Sequence, residues 1–373
     1  MREELTELTS NLVRIDSQSP DLVEGASGEG EIAAFVAEWL RAASFDVEVE
    51  EAAPGRPNVI GTAPGSGGGR TLMLNAHLDT VGVGGVDRPF DPRVEDGRLY
   101  GRGSYDMKAS LAAILVAARD AAAEGLDGDV VVTAVADEEF ASVGTAAVAR
   151  ARRADAAIVA EPTELGVAVA HRGFAAWEIE TTGRAAHGSR PDLGIDAIAH
   201  MGHVLMELDG VDRALRSGRG HPLVGTGSLH AGTIEGGAEF STYPASCLTR
   251  GERRTIPGES AADALAELET AFARAAERVP ELQAAVRITL AREPFEISED
   301  EEIVALVKRH AGRDGVVGVP FWTDAALLQA AGIPTVVFGP AGEGAHADVE
   351  WVDLESVERC ARVILGVARD LCS

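Results

Sequence analysis

Short apolar runs alternate with helical segments through the first 170 residues of the chain. The stretches TLMLNA (71–76), DVVVTAVA (129–136) and AAIVA (156–160) are typical of strands buried on both faces of a sheet. Helical patterns separate these runs, and the longest covers 107–123. Strands that alternate with helices predict an α/β fold, with a mostly parallel sheet and helices on both of its faces.

The pattern changes near residue 172. The segment GFAAWEIETTG alternates as a half-exposed strand does, and two helical segments and further alternating strands follow it. From about residue 293 the α/β pattern resumes and ends in a long helix. We therefore predict a discontinuous α/β domain, residues 1–171 and 293–373, and an inserted α+β domain of ferredoxin-like type, residues 172–292.

Composition and charge exclude several classes of function. The 373 residues are 46% hydrophobic, and the formal net charge is −27, which argues against binding to nucleic acid or to anionic membrane surfaces. The first residues lack a signal-peptide pattern, and no apolar stretch approaches the roughly 20 residues that span a bilayer. We expect a cytoplasmic protein without membrane association. Cys247, Cys360 and Cys372 show no metal-binding spacing.

Acidic and histidine residues recur in the loops that follow the predicted strands. Active sites in open α/β sheets lie outside the carboxyl ends of the strands, so these loops are expected to meet at one edge. One member, Asp106, lies in the glycine-rich loop GRGSYDMK. The full set is His77, Asp79, Asp106, Glu138, Glu139, Glu161 and His346.

Imidazole nitrogen and carboxylate oxygen without thiolate are the ligands of a catalytic zinc site. The set is too large for one tetrahedral ion that keeps an open position, and it suits two bridged ions. Of the neighbours Glu138 and Glu139, one can bind metal while the other acts as general base, because adjacent residues of an extended segment point in opposite directions. A single His-x-Asp pair or tandem glutamate has an ordinary surface explanation, so the prediction depends on their co-occurrence at successive strand ends.

Six ordered motifs give the chain a resemblance to a known family. They are AHLDTV, GRGSYDMKASLAA, ADEEFASVGT, VAEPTEL, GRAAHGSRPDLGIDAI and FGPAGEGAHADVEWV, and together they span nearly the whole chain. They resemble metallopeptidase family 20, which includes acetylornithine deacetylase, succinyl-diaminopimelate desuccinylase and glutamate carboxypeptidase. The resemblance implies a zinc-exopeptidase-like catalytic domain with an inserted lid and dimerisation domain.

The resemblance also implies roles for individual residues. Asp106 would bridge two metal ions and would be followed by a cis peptide bond. Asp79 would orient the ring of His77, and Glu138 would be the general base. The metal ligands would be His77, Asp106, Glu139, Glu161 and His346.

In the inserted domain, His187 matches a histidine that steadies the oxyanion, often across a dimer interface. Arg254 matches an arginine that binds the substrate carboxylate. Thr323 and Asp324 lie where the family contacts substrate, although capping of a helix N-terminus explains them equally well. The segment GGAEFSTYP departs from the family pattern because it lacks an Asn, so its Phe240 and Tyr243 could shape a different pocket or pack the lid.

These expectations combine into one hypothesis about function. The chain is expected to be a di-zinc hydrolase, with Co²⁺ or Mn²⁺ as possible substitutes, that cleaves an N-acyl amino acid and forms a homodimer through the inserted domain. The alternative within the same class is a metallo-carboxypeptidase or dipeptidase that acts on short peptides. The alternative from another class, a non-catalytic metal- or ligand-binding relative, would require a missing ligand or base.

Overall fold

The computed structural model describes residues 1–373. The helices are α1 (Arg2–Arg14), α2 (Gly30–Ala42), α3 (Ala109–Ala123), α4 (Val143–Ala151), α5 (Ala197–Ser217), α6 (Ala261–Arg278), α7 (Glu302–Ala311), α8 (Ala325–Ala330) and α9 (Leu354–Leu371). A separate π-helical turn, Ser104–Lys108, precedes α3; it is closed by a hydrogen bond from Lys108 N to the Gly103 carbonyl oxygen at 2.8 Å, but the backbone dihedral angles of Asp106 and Met107 within it are not helical. No helix has the length and apolar composition needed to cross a membrane.

The strands of the first half of the chain are β1 (Asp46–Ala53), β2 (Arg56–Ala63), β3 (Leu72–His77), β4 (Arg93–Glu95), β5 (Arg98–Tyr100), β6 (Val130–Val135), β7 (Ala156–Val159), β8 (Ala168–His171) and β9 (Gly173–Thr182). Those of the second half are β10 (Gly220–His221), β11 (Gly225–Thr226), β12 (Ser228–Gly236), β13 (Ser246–Thr255), β14 (Gln283–Arg292), β15 (Phe295–Glu296), β16 (Val317–Val319), β17 (Thr335–Val337), β18 (Gly342–Glu343) and β19 (Trp351–Asp353).

The chain folds into two compact units. The first contains Met1–Val169, Ile297–Val317 and Thr323–Ser373, and the second contains Ala170–Glu296 and Gly318–Trp322. The expected insertion, 172–292, lies inside the second unit. The short segment Gly318–Trp322 also joins that unit, which the hydrophobic pattern did not indicate.

The first unit is built on a mixed sheet that is parallel at its centre, as predicted. Its strands follow the order β1-β2-β6-β3-β7-β17-β8, and the central four, β6, β3, β7 and β17, run parallel. Every residue of β3, β6 and β7 is buried, because helices cover both faces of the sheet. The Ala-rich α3 is buried nearly throughout and packs against α9.

The register of the parallel strands determines where the loops begin. His77 at the end of β3 lies opposite Val135 at the end of β6, and Asn75 lies opposite Val159 at the end of β7. The residues after β3, β6, β7 and β17 therefore emerge at the same edge of the sheet. A second small sheet pairs Trp351 with Tyr100, which brings the segment before α9 beside the loop before α3.

The second unit has its own sheet and core. Its antiparallel sheet has the order β12-β13-β9-β14, and α5 and α6 pack against it, in agreement with the predicted α+β insertion. Both helices begin at a side-chain cap: Asp196 accepts a hydrogen bond from Ala199 N, and Ser260 forms a capping box with Asp263. Trp177 on β9 is 1% exposed and belongs to the apolar cluster beneath the helices.

Substitution of Gly251 by Ala is expected to destabilise the second unit. A Cβ atom at this position would lie 2.1 Å from the carbonyl oxygen of His230 and 2.3 Å from Cζ2 of Trp177. Neither can move freely, because one is sheet backbone and the other is a packed indole, so the cost should be about 1–3 kcal/mol. Urea unfolding followed by circular dichroism measures this change.

Gly232→Ala is the matched control on the neighbouring strand. Its Cβ would meet only the Arg250 carbonyl oxygen, at 3.7 Å, so stability should change by less than about 0.5 kcal/mol. Equal unfolding midpoints for the two variants would contradict the proposed clash.

Candidate metal centre

The acidic and histidine side chains predicted from the sequence come together at the carboxyl edge of the central sheet. His77 ends β3, the Glu138–Glu139 pair follows β6, and Glu161 follows β7. His346 lies in the loop between β18 and β19, and Asp106 lies in the π-helical turn before α3. His77 and Glu161 are 1% and 4% exposed, whereas the His346 side chain is 55% exposed, so the cluster is buried against the sheet and open to solvent at His346.

Asp106 occupies the centre of this cluster. Its Oδ1 lies 3.1 Å from Nε2 of His77, and its Oδ2 lies 3.4 Å from Nε2 of His346. The Asp106–Met107 peptide bond is cis, as the family resemblance implies. One carboxylate therefore contacts both imidazole rings with opposite oxygens.

Further carboxylates lie on each side of Asp106. On one side, Glu161 Oε1 is 3.6 Å and Glu138 Oε2 is 4.0 Å from Nε2 of His77. On the other side, Glu139 Oε2 is 3.0 Å from Nε2 of His346. Two sets of side chains each have ligand atoms within 4.8 Å of one another: His77, Glu138 and Glu161, and His77, Asp106 and Glu139.

The cluster carries an excess of negative charge, which a bound cation would neutralise. Burial raises the pKa of Glu138 and of Glu161 well above the usual carboxyl value, and neighbouring carboxylates add to the effect. Burial opposes protonation of His77, but the nearby carboxylates raise the pKa of its ring well above the usual value. Hydrogen bonds to Asp106 and Glu139 raise the pKa of His346 to about 10. The carboxylates therefore favour the protonated, positively charged form of both imidazole rings.

The donor set fits two divalent metal ions. It offers imidazole nitrogen and carboxylate oxygen without thiolate, which suits Zn²⁺ in a catalytic site. Glu139 Oε1 is buried and has no hydrogen-bond partner, so it has an unused lone pair available. Metal ions would offset the mutual repulsion that raises the carboxyl pKa values.

Asp79 lies beside the site but makes different contacts from those expected. Nδ1 of His77 is 3.0 Å from the backbone carbonyl oxygen of Asp79 and 3.7 Å from its carboxylate, so the carbonyl is the hydrogen-bond partner. This contact keeps the proton on Nδ1 and leaves Nε2 free to bind metal. The Asp79 carboxylate instead accepts hydrogen bonds from the backbone N–H groups of Glu138, at 3.1 Å, and Glu139, at 3.2 Å.

A buried network of ion pairs contacts the loop that carries Glu138 and Glu139, and the sequence did not predict it. Arg56 on β2 is 5% exposed. Its Nη2 lies 2.7 Å from Glu29 Oε1 and 2.9 Å from Asp137 Oδ1. Asp137 has a left-handed φ of 71° and donates its backbone N–H to Glu29 at 3.2 Å. The only available signal was an arginine inside a buried strand pattern.

Thr323 and Asp324 are buried, at 0% and 1% exposure, and substrate contact through them stays a prediction. Thr323 Oγ1 accepts a hydrogen bond from Ala325 N at 3.2 Å, as a cap does. Asp324 makes no cap; its Oδ2 accepts a hydrogen bond from Thr145 Oγ1 at 2.6 Å. Burial raises the pKa of Asp324 to about 6, and the charge of Asp79 adds to this.

The remaining predicted residues belong to the second unit. His187 is exposed, and its Nδ1 lies 2.8 Å from Ser189 Oγ. Arg254 donates from Nε to Glu252 Oε1 at 2.5 Å, and its guanidinium lies 5.5 Å from the centre of the Phe174 ring. In the departing segment GGAEFSTYP, the Phe240 side chain is fully exposed and does not pack the lid.

The chain resembles known metallohydrolases in sequence and in fold. The family model described as Peptidase family M20/M25/M40 matches residues 73–370. The acetylornithine deacetylase of Myxococcus xanthus is 30% identical, over 100% of this chain and 97% of that protein. A tripeptidase from Staphylococcus aureus aligns with a TM-score of 0.83 at 20% identity, over 100% of this chain and 99% of that one. A dinuclear metal-binding M20 peptidase from Bacillus subtilis aligns with a TM-score of 0.76 at 17% identity, over 100% and 98%.

Added Zn²⁺ or Co²⁺ is expected to raise the thermal midpoint of the chelator-treated protein. Metal that binds only the folded state stabilises it by about 2.7 kcal/mol per site at a free concentration 100-fold above Kd. Asp106→Asn should lose most of this shift, because the carboxylate between the two imidazole rings becomes neutral. Differential scanning calorimetry with and without metal measures the shift.

His310→Ala provides the control. His310 lies on α7, and its Nε2 is 2.6 Å from Asp370 Oδ2, outside the cluster. This variant should keep the full metal-induced shift. An equal shift in Asp106→Asn and wild type, or no shift in wild type, would contradict the assignment of the centre.

Proposed function

The chain belongs to peptidase family M20/M25/M40, and from this premise we propose that it is a di-zinc hydrolase that cleaves the amide bond of N-acyl amino acids. The observation that carries the proposal is Asp106, whose two oxygens contact the rings of His77 and His346. This arrangement suits a carboxylate that bridges two ions. The relatives named acetylornithine deacetylase favour an acylated amino acid as the substrate class.

We assign the metal ligands in two groups that share Asp106. His77 and Glu161 would hold one ion, and Glu139 and His346 would hold the other. Two Zn²⁺ ions, or Co²⁺ or Mn²⁺ in their place, would supply Lewis acidity toward the amide carbonyl and lower the pKa of a bound water.

Glu138 is the proposed general base. It takes a proton from the attacking water and passes it to the leaving amine. Its side chain is only 10% exposed, and burial raises the pKa of this carboxyl, which suits a group that must hold a proton between the two transfers. Asp79 supports this role through the backbone amide of Glu138.

His187 and Arg254 are assigned to the substrate. Nδ1 of His187 accepts a hydrogen bond from Ser189 N at 3.2 Å, which leaves the proton on Nε2, where it can be donated to a developing oxyanion. Nε of Arg254 is used by Glu252, so we assign its two Nη groups to the substrate carboxylate, in the bidentate geometry that guanidinium favours.

We also propose that the second unit forms a homodimer. β12 is an edge strand and is exposed over most of its length, which leaves backbone groups ready to pair with another chain. Large apolar side chains are exposed on this strand and on α5: Ile234 is 55%, Met206 is 60% and Ile198 is 45% exposed. A second copy of the chain is the proposed partner for this surface.

Wild-type protein with added Zn²⁺ or Co²⁺ is expected to hydrolyse N-acetyl or N-succinyl amino acids with a higher kcat/KM than dipeptides. Glu138→Ala should retain both metals but lose turnover by about 10²–10⁴-fold, because it lacks the proton acceptor. Steady-state kinetics on a substrate panel, with metal content measured on the same samples, tests both statements.

Glu124→Ala is the control, since Glu124 pairs with Arg369 at the surface and its loss should leave turnover unchanged. A preference for dipeptides or longer peptides would replace the deacylase assignment with the peptidase alternative. Undiminished hydrolysis by Glu138→Ala would remove Glu138 from the mechanism.

Light scattering at micromolar concentration is expected to give twice the mass of one chain. Ile234→Asp should produce a monomer, because a charge would be buried in the proposed contact. Val94→Asp, at an equally exposed valine of the first unit, should remain dimeric. A monomeric wild type, or a dimeric Ile234→Asp, would count against this interface.

A further inference from the structure

Glu350 is a buried acid that the family resemblance did not assign to any role. It is 2% exposed and lies four residues after His346, immediately before β19. Its Oε2 accepts hydrogen bonds from Arg102 Nη1 at 2.7 Å and Gly103 N at 2.9 Å. Its Oε1 accepts hydrogen bonds from Tyr105 N at 3.0 Å and Asp106 N at 3.1 Å.

All four donors come from one short stretch, Arg102–Asp106. Gly103 has a left-handed φ of 75°, and the π-helical turn begins at Ser104. Successive backbone N–H groups in a bend that contains a left-handed residue form a concave anion-binding surface. The Glu350 carboxylate fills this surface and thereby determines the backbone position from which the Asp106 side chain extends.

The same residue connects the Asp106 loop to the His346 loop. The backbone carbonyl of Glu350 accepts a hydrogen bond from Gly101 N at 3.2 Å. Arg102, which is also 2% exposed, donates to Glu350 and, through Nη2, to the carbonyl oxygen of Ala347 at 3.0 Å. A displacement of the Glu350 carboxylate would therefore change the separation between the Asp106 carboxylate and the His346 ring.

We infer that Glu350 is a positioning residue that holds Asp106 between His77 and His346, and so controls the affinity and geometry of the metal centre. This inference rests on the proposed metal-dependent function. Glu350 acts through the backbone amides of Tyr105 and Asp106, from which its Oε1 accepts hydrogen bonds. Its role resembles that of Asp79, whose carboxylate accepts hydrogen bonds from the backbone N–H groups of Glu138 and Glu139 in the same way.

Glu350→Gln tests the inference because it preserves size and shape. The amide has a single oxygen, so its NH₂ group must face either the two N–H groups of Tyr105 and Asp106 or the donors of Arg102 and Gly103. Partners in this position typically change metal affinity by about 10–100-fold, and we expect Zn²⁺ and Co²⁺ to bind more weakly by that factor. Competition with a chromophoric chelator measures Kd for each metal alone.

Two further measurements separate positioning from general stabilisation. The visible d–d spectrum of the Co²⁺-loaded variant should differ from that of wild type, because the carboxylate of Asp106 is displaced. At saturating metal, kcat should fall while KM for the N-acyl amino acid stays near the wild-type value. A residue that only stabilises the fold would lower the thermal midpoint and leave both readouts unchanged.

Asp353→Asn is the matched control. Asp353 lies three residues later and accepts a hydrogen bond from Ser356 N at 2.7 Å as the N-cap of α9. This variant should lower the thermal midpoint but leave metal Kd and the Co²⁺ spectrum as in wild type. If Glu350→Gln does not fold, Arg102→Lys takes its place and should show the same spectral change with a smaller loss of affinity.

The outcomes distinguish this inference from the proposed function. The positioning role alone is overturned if wild type binds two metals and turns over substrate while Glu350→Gln has a metal Kd within twofold of wild type and the same Co²⁺ spectrum. Wild type that binds no metal overturns both. Weaker metal binding and an altered spectrum in Glu350→Gln, with neither change in Asp353→Asn, support the positioning role.

Discussion

The concentration of buried negative charge at one edge of the central sheet is the constraint on which the rest of the structure depends. Several carboxylates lie within a few ångströms of one another and out of water, which raises the pKa of Glu138, Glu139 and Glu161. Burial of such a cluster costs free energy unless each charge has a partner of opposite charge or a hydrogen-bond partner. Two histidine rings pair with part of this negative charge, and the carboxylate oxygens that remain are suited to divalent metal ions.

The loops that carry the ligands are held by other carboxylates. Asp79 accepts the backbone amides of the Glu138–Glu139 pair, and Glu350 accepts those of Tyr105 and Asp106. In each case an acid from one loop binds the N–H groups of another, so the loops are coupled to one another across the site. Precise metal geometry can then arise from loops, which by themselves are the least constrained parts of a fold.

The two units carry different groups of the proposed site residues. The first unit supplies a rigid sheet whose parallel strands end at a common edge, and it carries every proposed metal ligand. The second unit has a separate core around Trp177 and carries His187 and Arg254, which we assign to the substrate. Under this assignment, the residues proposed for the metal ions and those proposed for the substrate belong to units with separate cores.

The sequence by itself determined the mixed α/β architecture, the family and the membership of the cluster around Asp106. Hydrophobic periodicity reports burial directly, and polar residues at the ends of apolar runs stand out against it. Only the tertiary structure decided that the Asp79 carboxylate binds backbone amides, that Asp324 is buried and that Glu350 holds the Asp106 loop. These contacts join residues from distant segments, and Glu350 and Asp106 are 244 positions apart. Local sequence patterns do not show which buried acid contacts which loop, because chain topology and packing determine the distance between the two segments.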